Sequence, residues 1–338
     1  MDNVPVFVGL DYHEEFVQVC VLDAQGQQLG NRECANDWQV IVSYVERFGT
    51  RVQAAIESCA GAANLCDELM TRAGWSIDMA HPGFVSRMKQ NPDKTDYQDA
   101  HVLADLERVG YLPRVWLAPQ AVRDLRQLVR YRQQLTELRR STKLRIRAIL
   151  REQRCPAPPE CNAWTRAWKA WLQKEADVSV QARWVLDKHV QELDRLAKAI
   201  QEAEQRLAEV TADDPEVARL QEQPGIGPVT AWTLRAEIGR FDRFRSGKQL
   251  ARFCGLSPRN ASSGNRQADA GLIRAANPQL RATLIEAAHR LARFDPKWRT
   301  LGLRLRTAGK PGSVTAAAVA NRWIRWLFHQ MQPTAAAA

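Results

Sequence analysis

The chain opens on a near-continuous apolar run, Val4-Pro5-Val6-Phe7-Val8-Gly9-Leu10, that ends in a single carboxylate, Asp11. A run without polar alternation predicts a strand buried on both faces. Strand-like stretches follow at roughly 16–23 and 28–33, separated by short turns such as Ala24-Gln25-Gly26, and the set reads as a three-strand meander. Trp38 to Phe48 changes to helical spacing through Val42, Val45 and Phe48. Val52 to Glu57 is a short apolar strand that again finishes in an acid. Ala60 to Ala73 reads as a helix, Trp75 to Ala80 as a fifth strand, and Asp96 to Val109 as a helix whose apolar side carries Val102, Leu103 and Leu106.

Three antiparallel strands followed by strand–helix units predict a mixed α/β sheet in residues 1–115, an order that suits a ribonuclease-H-like fold. Pro113 and Pro119 bracket a linker. A second, all-α region is expected over 116–212. Its first helix runs from Gln120 to about Gln153, with Leu125, Leu128, Leu135 and Leu138 on one face and arginines on the others. Cys155-Pro-Ala-Pro-Pro-Glu160 stops it, and a Trp-rich stretch follows (Trp164, Trp168, Trp171, Trp184). Leu186, Val190, Leu193, Ala197, Ile200 and Leu207 then repeat at steps of four and three, which fits a coiled coil within or between chains. The same pattern fits a two-helix hairpin packing on itself.

Asp213-Asp214-Pro215 supplies a cap and a first-turn proline that open a third, small helical region over 213–332. Pro224-Gly225-Ile226-Gly227 joins two helices there, either as a plain turn or as a turn offering backbone N–H groups to a phosphate. Gly255-Leu256-Ser257-Pro258-Arg259 leads into a polar loop, Asn260 to Asn265. Helices are expected from Pro278 to about Phe294 and from Val314 to Gln332, with a tail over 333–338 that reads as disordered.

Charge adds a partner class. Lys and Arg number 48 against 38 acids, a formal charge of +10, which points to a polyanion such as nucleic acid. Eleven basic and three acidic residues fall between Val122 and Arg154, and no acid follows Asp295. Within the long helix Arg139, Arg140, Lys143 and Arg147 are the candidate backbone-binding residues; a charged, solvated face is the alternative. Seven cysteines without a Cys-x-x-Cys pair argue against a disulfide framework and a zinc ribbon, so a reduced, cytoplasmic setting is expected. No apolar run approaches a membrane span, so no membrane partner is expected.

Candidate chemistry lies in four acids. Asp11 and Glu57 end strands, and Asp96 and Asp99 sit at i, i+3 on one side of a helix start. Singly, each has an ordinary explanation as a turn former, a helix cap or a first-turn charge. Together, crowded carboxylates repel one another unless cations neutralise them, and hard oxygen ligands suit Mg2+ or Mn2+. A pair of such ions serves phosphodiester chemistry. A sugar-kinase-like ATPase shares the strand order but needs a glycine-rich turn after its first aspartate. Asp11 is followed instead by Tyr12-His13-Glu14-Glu15.

Val-Gly-Leu-Asp11, Ile-Glu57-Ser and Lys94-Thr95-Asp96-x-x-Asp99-Ala100 resemble the DEDD transposases of bacterial insertion sequences, the group that also includes the Piv-type DNA invertase. Pro224-Gly-Ile-Gly227 and Gly255-Leu-Ser-Pro-Arg259, followed by Ser263-Gly264, resemble their C-terminal transposase domain. The likeness implies a RuvC-like catalytic domain, a coiled-coil region and a small helical domain with a serine nucleophile. By motif position Asp11, Glu57, Asp96 and Asp99 match the acidic metal-binding tetrad and Ser263 matches the serine, with Ser262 the neighbouring alternative. Arg259, Arg266 and Arg274 are candidates for phosphate contacts near it. Arg274-Ala275-Ala276-Asn277 lacks the glycine that the family tends to place there.

The resemblance further implies recombination of donor and target DNA guided by a structured (bridge) RNA, in a dimer or tetramer acting at the bacterial nucleoid. Strand exchange would pass through a covalent phosphoserine. A metal-dependent, junction-resolving endonuclease that uses water and makes no covalent bond is the competing expectation. A non-catalytic nucleic-acid scaffold is the third.

Overall fold

The computed structural model describes residues 5–88, 95–260 and 269–333. It divides into two compact units, Met1–Ala118 and Pro119–Ala338.

In the first unit, β1 (Pro5–Tyr12), β2 (Phe16–Leu22) and β3 (Gln28–Ala35) form the expected antiparallel meander. After α1 (Trp38–Val45), β4 (Arg51–Glu57) returns parallel to β1, with Leu10 opposite Ile56. Then follow α2 (Ala62–Ala73), β5 (Ser76–Ala80), α3 (Pro82–Met88), α4 (Asp96–Arg108) and the two-residue β6 (Arg114–Val115). The sheet order β3-β2-β1-β4-β5-β6 is the mixed, ribonuclease-H-like arrangement that the sequence predicts. Strand β6 lies inside the expected linker, where it pairs antiparallel with β5 through Met79 and Val115.

The two faces of β1 explain what covers them. Side chains alternate along a strand. Val6, Val8 and Leu10 share a core with Ile41 of α1 and Leu65 and Leu69 of α2. On the opposite face Phe7 packs against a cluster of Cys20, Leu22, Ala100 and Ala104, the last two from α4. Gly9 and Asp11 occupy the same parity as Phe7 and therefore face α4.

The second unit is helical: α5 (Gln120–Glu152), α6 (Arg166–Lys174), α7 (Val180–Val210), α8 (Pro215–Gln221), α9 (Pro228–Ile238), α10 (Gly247–Phe253), α11 (Pro278–Phe294), α12 (Pro296–Thr307) and α13 (Gly312–Gln330). The expected apolar face of α5 needs correction at Leu138, which is 52% exposed. The buried stripe runs through Val122, Leu125, Val129, Leu135, Thr142, Ile146 and Leu150 instead. Over 33 residues a stripe must follow 3.6 residues per turn, and Leu138 drifts off it.

Likewise α7 buries Leu196 where the heptad pattern names Ala197. Its seam meets α5 of the same chain: Leu135 packs with Leu196, Ile200 and Ala203, and Ile146 and Leu150 with Leu186, Val190 and Leu193. The repeat is thus satisfied by an intramolecular helix pair. No separate core begins at residue 213, because Leu125, Val129 and Leu207 share one cluster with Leu220, Trp232, Leu284 and Trp323.

Two further elements add to the expected ones. A short antiparallel pair, β7 (Pro258–Asn260) and β8 (Asp269–Leu272), which the sequence reading did not include, flanks the expected polar loop, whose residues 261–265 lie outside the described residues. Asp295 ends α11 and caps α12, accepting the Trp298 N–H at 3.2 Å, so the stretch before α13 is a full helix. Among the described residues no helix is long and apolar enough to cross a membrane.

Candidate active site

Asp11 sits at the end of β1, opposite Gln18 of β2. Glu57 ends the adjacent parallel strand β4, opposite Ala80 of β5. Helix α4 brings the other two acids. Thr95, in extended backbone, caps it by accepting the Gln98 N–H at 3.3 Å, and Asp96 and Asp99 occupy the first turn. Acids there also complement the positive end of the helix dipole.

The approach of α4 to β1 depends on Gly9. A Cβ at that position would lie 1.8 Å from the Ala100 carbonyl oxygen and 2.6 Å from the Ala104 nitrogen. Only a residue without a side chain lets the helix backbone come this near, two residues before Asp11 in the strand.

Three side chains converge. His13 Nε2 lies 3.4 Å from Asp11 Oδ2 and 3.5 Å from Asp96 Oδ2. Neither contact is a well-formed hydrogen bond, and this nitrogen is buried without a partner although the ring is 38% exposed. The imidazole stacks on Phe16 at 4.4 Å, and the His13 N–H donates to the Phe16 carbonyl at 2.9 Å. The turn after β1 therefore aims the ring back at the strand end.

Burial pushes the Asp11 carboxyl above its ordinary value; His13 opposes this, and the charges of Asp99 and Asp96 add to it. Asp99, only 6% exposed, is thus electrostatically within the site. Glu57 is outside the convergent trio, but its charge and that of Asp11 both act on Cys59. The Cys59 thiol is pushed up, by burial first.

The donor set fits a divalent cation. One ligand atom from each of Asp11, His13 and Asp96 lies within 4.8 Å of the others, and the orphaned imidazole nitrogen has no other partner to satisfy it. Carboxylates suit Mg2+ or Mn2+, while the imidazole is a donor type better suited to later transition metals. His13 is the site residue that sequence reasoning missed. Its signal was available as a ligand-type side chain two residues beyond a strand-end aspartate.

The basic residues of α5 separate into two groups. Arg130 makes a bidentate pair with Glu237 of α9 at 2.9 and 3.1 Å, Arg126 donates to the Ala236 carbonyl, and Arg132 pairs with Glu204 of α7. These cations hold helices together. Arg140 pairs along its own helix with Glu137. Lys143 is held below the usual lysine range by burial and by the charges of Arg139, Arg147 and Lys169. Lys143 Nζ and Arg147 Cζ lie 4.8 and 5.4 Å from the Trp164 ring centroid. Crowded like charges of this kind raise the local positive potential.

Arg259 on β7 and Arg274 after β8 are both exposed. Ser262, Ser263 and Arg266 lie outside the described residues. The flanking strands pair through Pro258 and Leu272, and residues of this pair with α10 and α13 line a cavity of about 790 Å3. In the Pro-Gly-Ile-Gly turn a Cβ on Gly225 would meet Leu291 of α11 at 2.5 Å, so that glycine serves helix packing. Asn277 caps α11, its side chain accepting from the Gln279 and Leu280 N–H groups.

Comparison with known proteins bears on the whole chain. A DEDD-type family model described as "Transposase" matches residues 8–154, and one described as "Transposase IS116/IS110/IS902 family" matches 217–302. The transposase for insertion sequence element IS1111A of Coxiella burnetii is 25% identical over 334 residues, covering 97% of this chain and 90% of its own. A probable family 20 transposase of Pseudomonas aeruginosa is 28% identical over 335 residues, covering 95% of each. The transposase for IS1328 of Yersinia enterocolitica is 26% identical over 69% of each chain. With a RuvC-like sheet under the first match and a helical unit under the second, the chain belongs to the IS110/IS116/IS902 family of insertion-sequence transposases, enzymes that act on DNA.

Proposed function

We propose that the chain is an RNA-guided transposase or recombinase that cleaves and exchanges DNA strands through a covalent phosphoserine. The observation that carries this reading is the convergence of Asp11 and Asp96 across β1 and α4, with Asp99 adding its charge to the same point. Asp11, Glu57, Asp96 and Asp99 would hold Mg2+ or Mn2+, with His13 as an additional donor. Bound there, the cations would neutralise the crowded carboxylates and stabilise charge developing on a scissile phosphate.

The Ser263 hydroxyl attacks phosphorus, a serine–phosphate bond forms, and the strand oxygen that leaves takes up a proton. A strand hydroxyl then displaces the serine, restoring its O–H and closing a new phosphodiester. Donor and target DNA are the substrates, and a structured bridge RNA selects them by base pairing while the protein reads backbone and shape. Arg139, Arg140, Lys143 and Arg147 contribute to that backbone surface, and Arg259, Arg266 and Arg274 to phosphates near the serine. The working assembly is a dimer or tetramer in which serine and tetrad come from different protomers, acting at the nucleoid of a bacterial cytoplasm.

Incubation with donor and target DNA, Mg2+ and guide RNA, followed by a denaturing gel, tests the covalent step. Wild type and Ser262→Ala give a protein–DNA adduct, and Ser263→Ala gives none. Full cleavage by Ser263→Ala without an adduct would establish hydrolysis by water instead.

A further inference from the structure

Past the end of α5 the chain makes a bend that the activity above leaves unexplained. Helix α5 stops at Glu152, and Arg154 follows with φ of 51°. Ten residues later Trp164 has φ of 76°. Among the described residues these are the two non-glycine positions with left-handed backbone. An L side chain at positive φ is disfavoured and persists only where its surroundings hold it. The two positions bracket one pocket of about 450 Å3.

Its lining combines two kinds of surface. Arg147, Arg151 and Arg154 come from one side of α5 and its end, spaced by four and three residues. Leu150, Cys155, Pro156, Ala157, Ala163 and Trp168 make the apolar remainder. No carboxylate lines the pocket, and among the described residues none of the three arginines has an acid within ion-pair distance. Trp168 is fixed between Trp164 and Trp171, with ring centroids at 4.6 and 6.2 Å. Lys143 lies within electrostatic reach of Arg147, and of Arg139 and Lys169 as well.

An occupant must therefore be anionic at one end and flat or apolar at the other. An unpaired nucleotide has that chemistry: a phosphate for the guanidinium forks and a base for the apolar walls. A duplex hides its base faces in the stack and offers phosphates, sugars and groove edges instead.

We propose that the bend after α5 is a subsite for one unpaired nucleotide of a single-stranded nucleic acid, its phosphate held by Arg147, Arg151 and Arg154 and its base placed against Leu150, Pro156 and Trp168. The inference rests on the reading that this protein binds nucleic acid. It adds a place where single-stranded character, as distinct from backbone charge, is recognised.

Cys155 gives a direct readout, since its half-buried thiol is free and lines the pocket. The full-length protein is exposed to a maleimide with and without matched RNA, DNA and duplex oligonucleotides, and labelling is mapped by mass spectrometry. Single strands are expected to slow Cys155 labelling several-fold, and duplex to leave it unchanged. Whichever of RNA and DNA protects at the lower concentration identifies the source of the nucleotide. Removing the cations by Arg151→Ala with Arg154→Gly, the latter tolerating positive φ, is expected to weaken single-strand binding about 10-fold or more and duplex binding less.

An unchanged melting temperature certifies that this variant is folded. Should Cys155 label equally fast throughout, with the double variant binding like wild type, the subsite is refuted while nucleic-acid binding stands. A wild-type protein that binds no nucleic acid refutes both readings. Equal protection by duplex and single strand refutes the base-binding part and with it the proposal.

Discussion

Asp11 meets opposing demands. In the folded chain its carboxyl is held above the ordinary value, first by burial and then by Asp99 and Asp96, with His13 pulling the other way. A carboxyl whose folded value is raised favours the fold fully below the ordinary carboxylate range, and that contribution is lost as pH rises through the folded value. Near neutral pH, without cations, the charged Asp11 is therefore a cost to the fold. Asp11→Asn should melt at a higher temperature than wild type in metal-free buffer at pH 7. The difference should vanish below the ordinary carboxylate range, where Asp11 carries a proton folded or unfolded. Adding Mn2+ or Mg2+ should reverse the order. At 100 times its dissociation constant a cation bound to the folded state contributes about 2.7 kcal/mol, a rise of roughly 4 °C for a chain of this size. Calorimetry with and without metal reads both effects, and equal metal responses in the two proteins would place the cation elsewhere.

One contact at the scale of elements sets the geometry of that site. Gly9 lets α4 lie directly on β1, and α4 carries Asp96 and Asp99 into place. Gly9→Ala puts a methyl group against helix backbone, which cannot rotate aside as a side chain would. The helix must shift, at about 1–3 kcal/mol for an overpacked core. A lower urea midpoint with an unchanged slope should report that cost. Loss of the metal-induced rise in melting temperature should report the displaced acids. Retention of a wild-type metal response would show that α4 does not set the site. The sequence carries the strand order and the placing of acids at strand and helix ends, because both follow from local periodicity and capping. It does not carry the helix approach, since a glycine in an apolar strand looks like a local weakness until its partner is known. His13 was missed for a related reason: its role arises from a turn that stacks it on Phe16, a tertiary relation. Leu138 and Ala197 show the limit of fixed heptad counting, because long helices follow 3.6 residues per turn and α5 and α7 select each other's buried stripes.

For the whole molecule, the proposed mechanism has the acidic tetrad and Ser263 acting on one scissile phosphate. If they come from different protomers, two inactive proteins should complement each other. Asp11→Ala keeps its serine, and Ser263→Ala keeps its tetrad. In a symmetric dimer with two composite sites, equal mixing gives mixed dimers as half of the population. Each mixed dimer has one site that joins the intact tetrad of Ser263→Ala to the intact serine of Asp11→Ala; its other site lacks both. About a quarter of all sites should then be competent, on statistical grounds for a C2 assembly. The protein–DNA adduct should appear in the mixture at about that fraction of the wild-type amount, and should be carried only by the Asp11→Ala chain, which a size tag makes visible. A site built within one protomer gives a different outcome, because neither parent then holds both parts and mixing restores nothing. The mixture thus separates assembly in trans from assembly in cis, and the tagged adduct does so chain by chain.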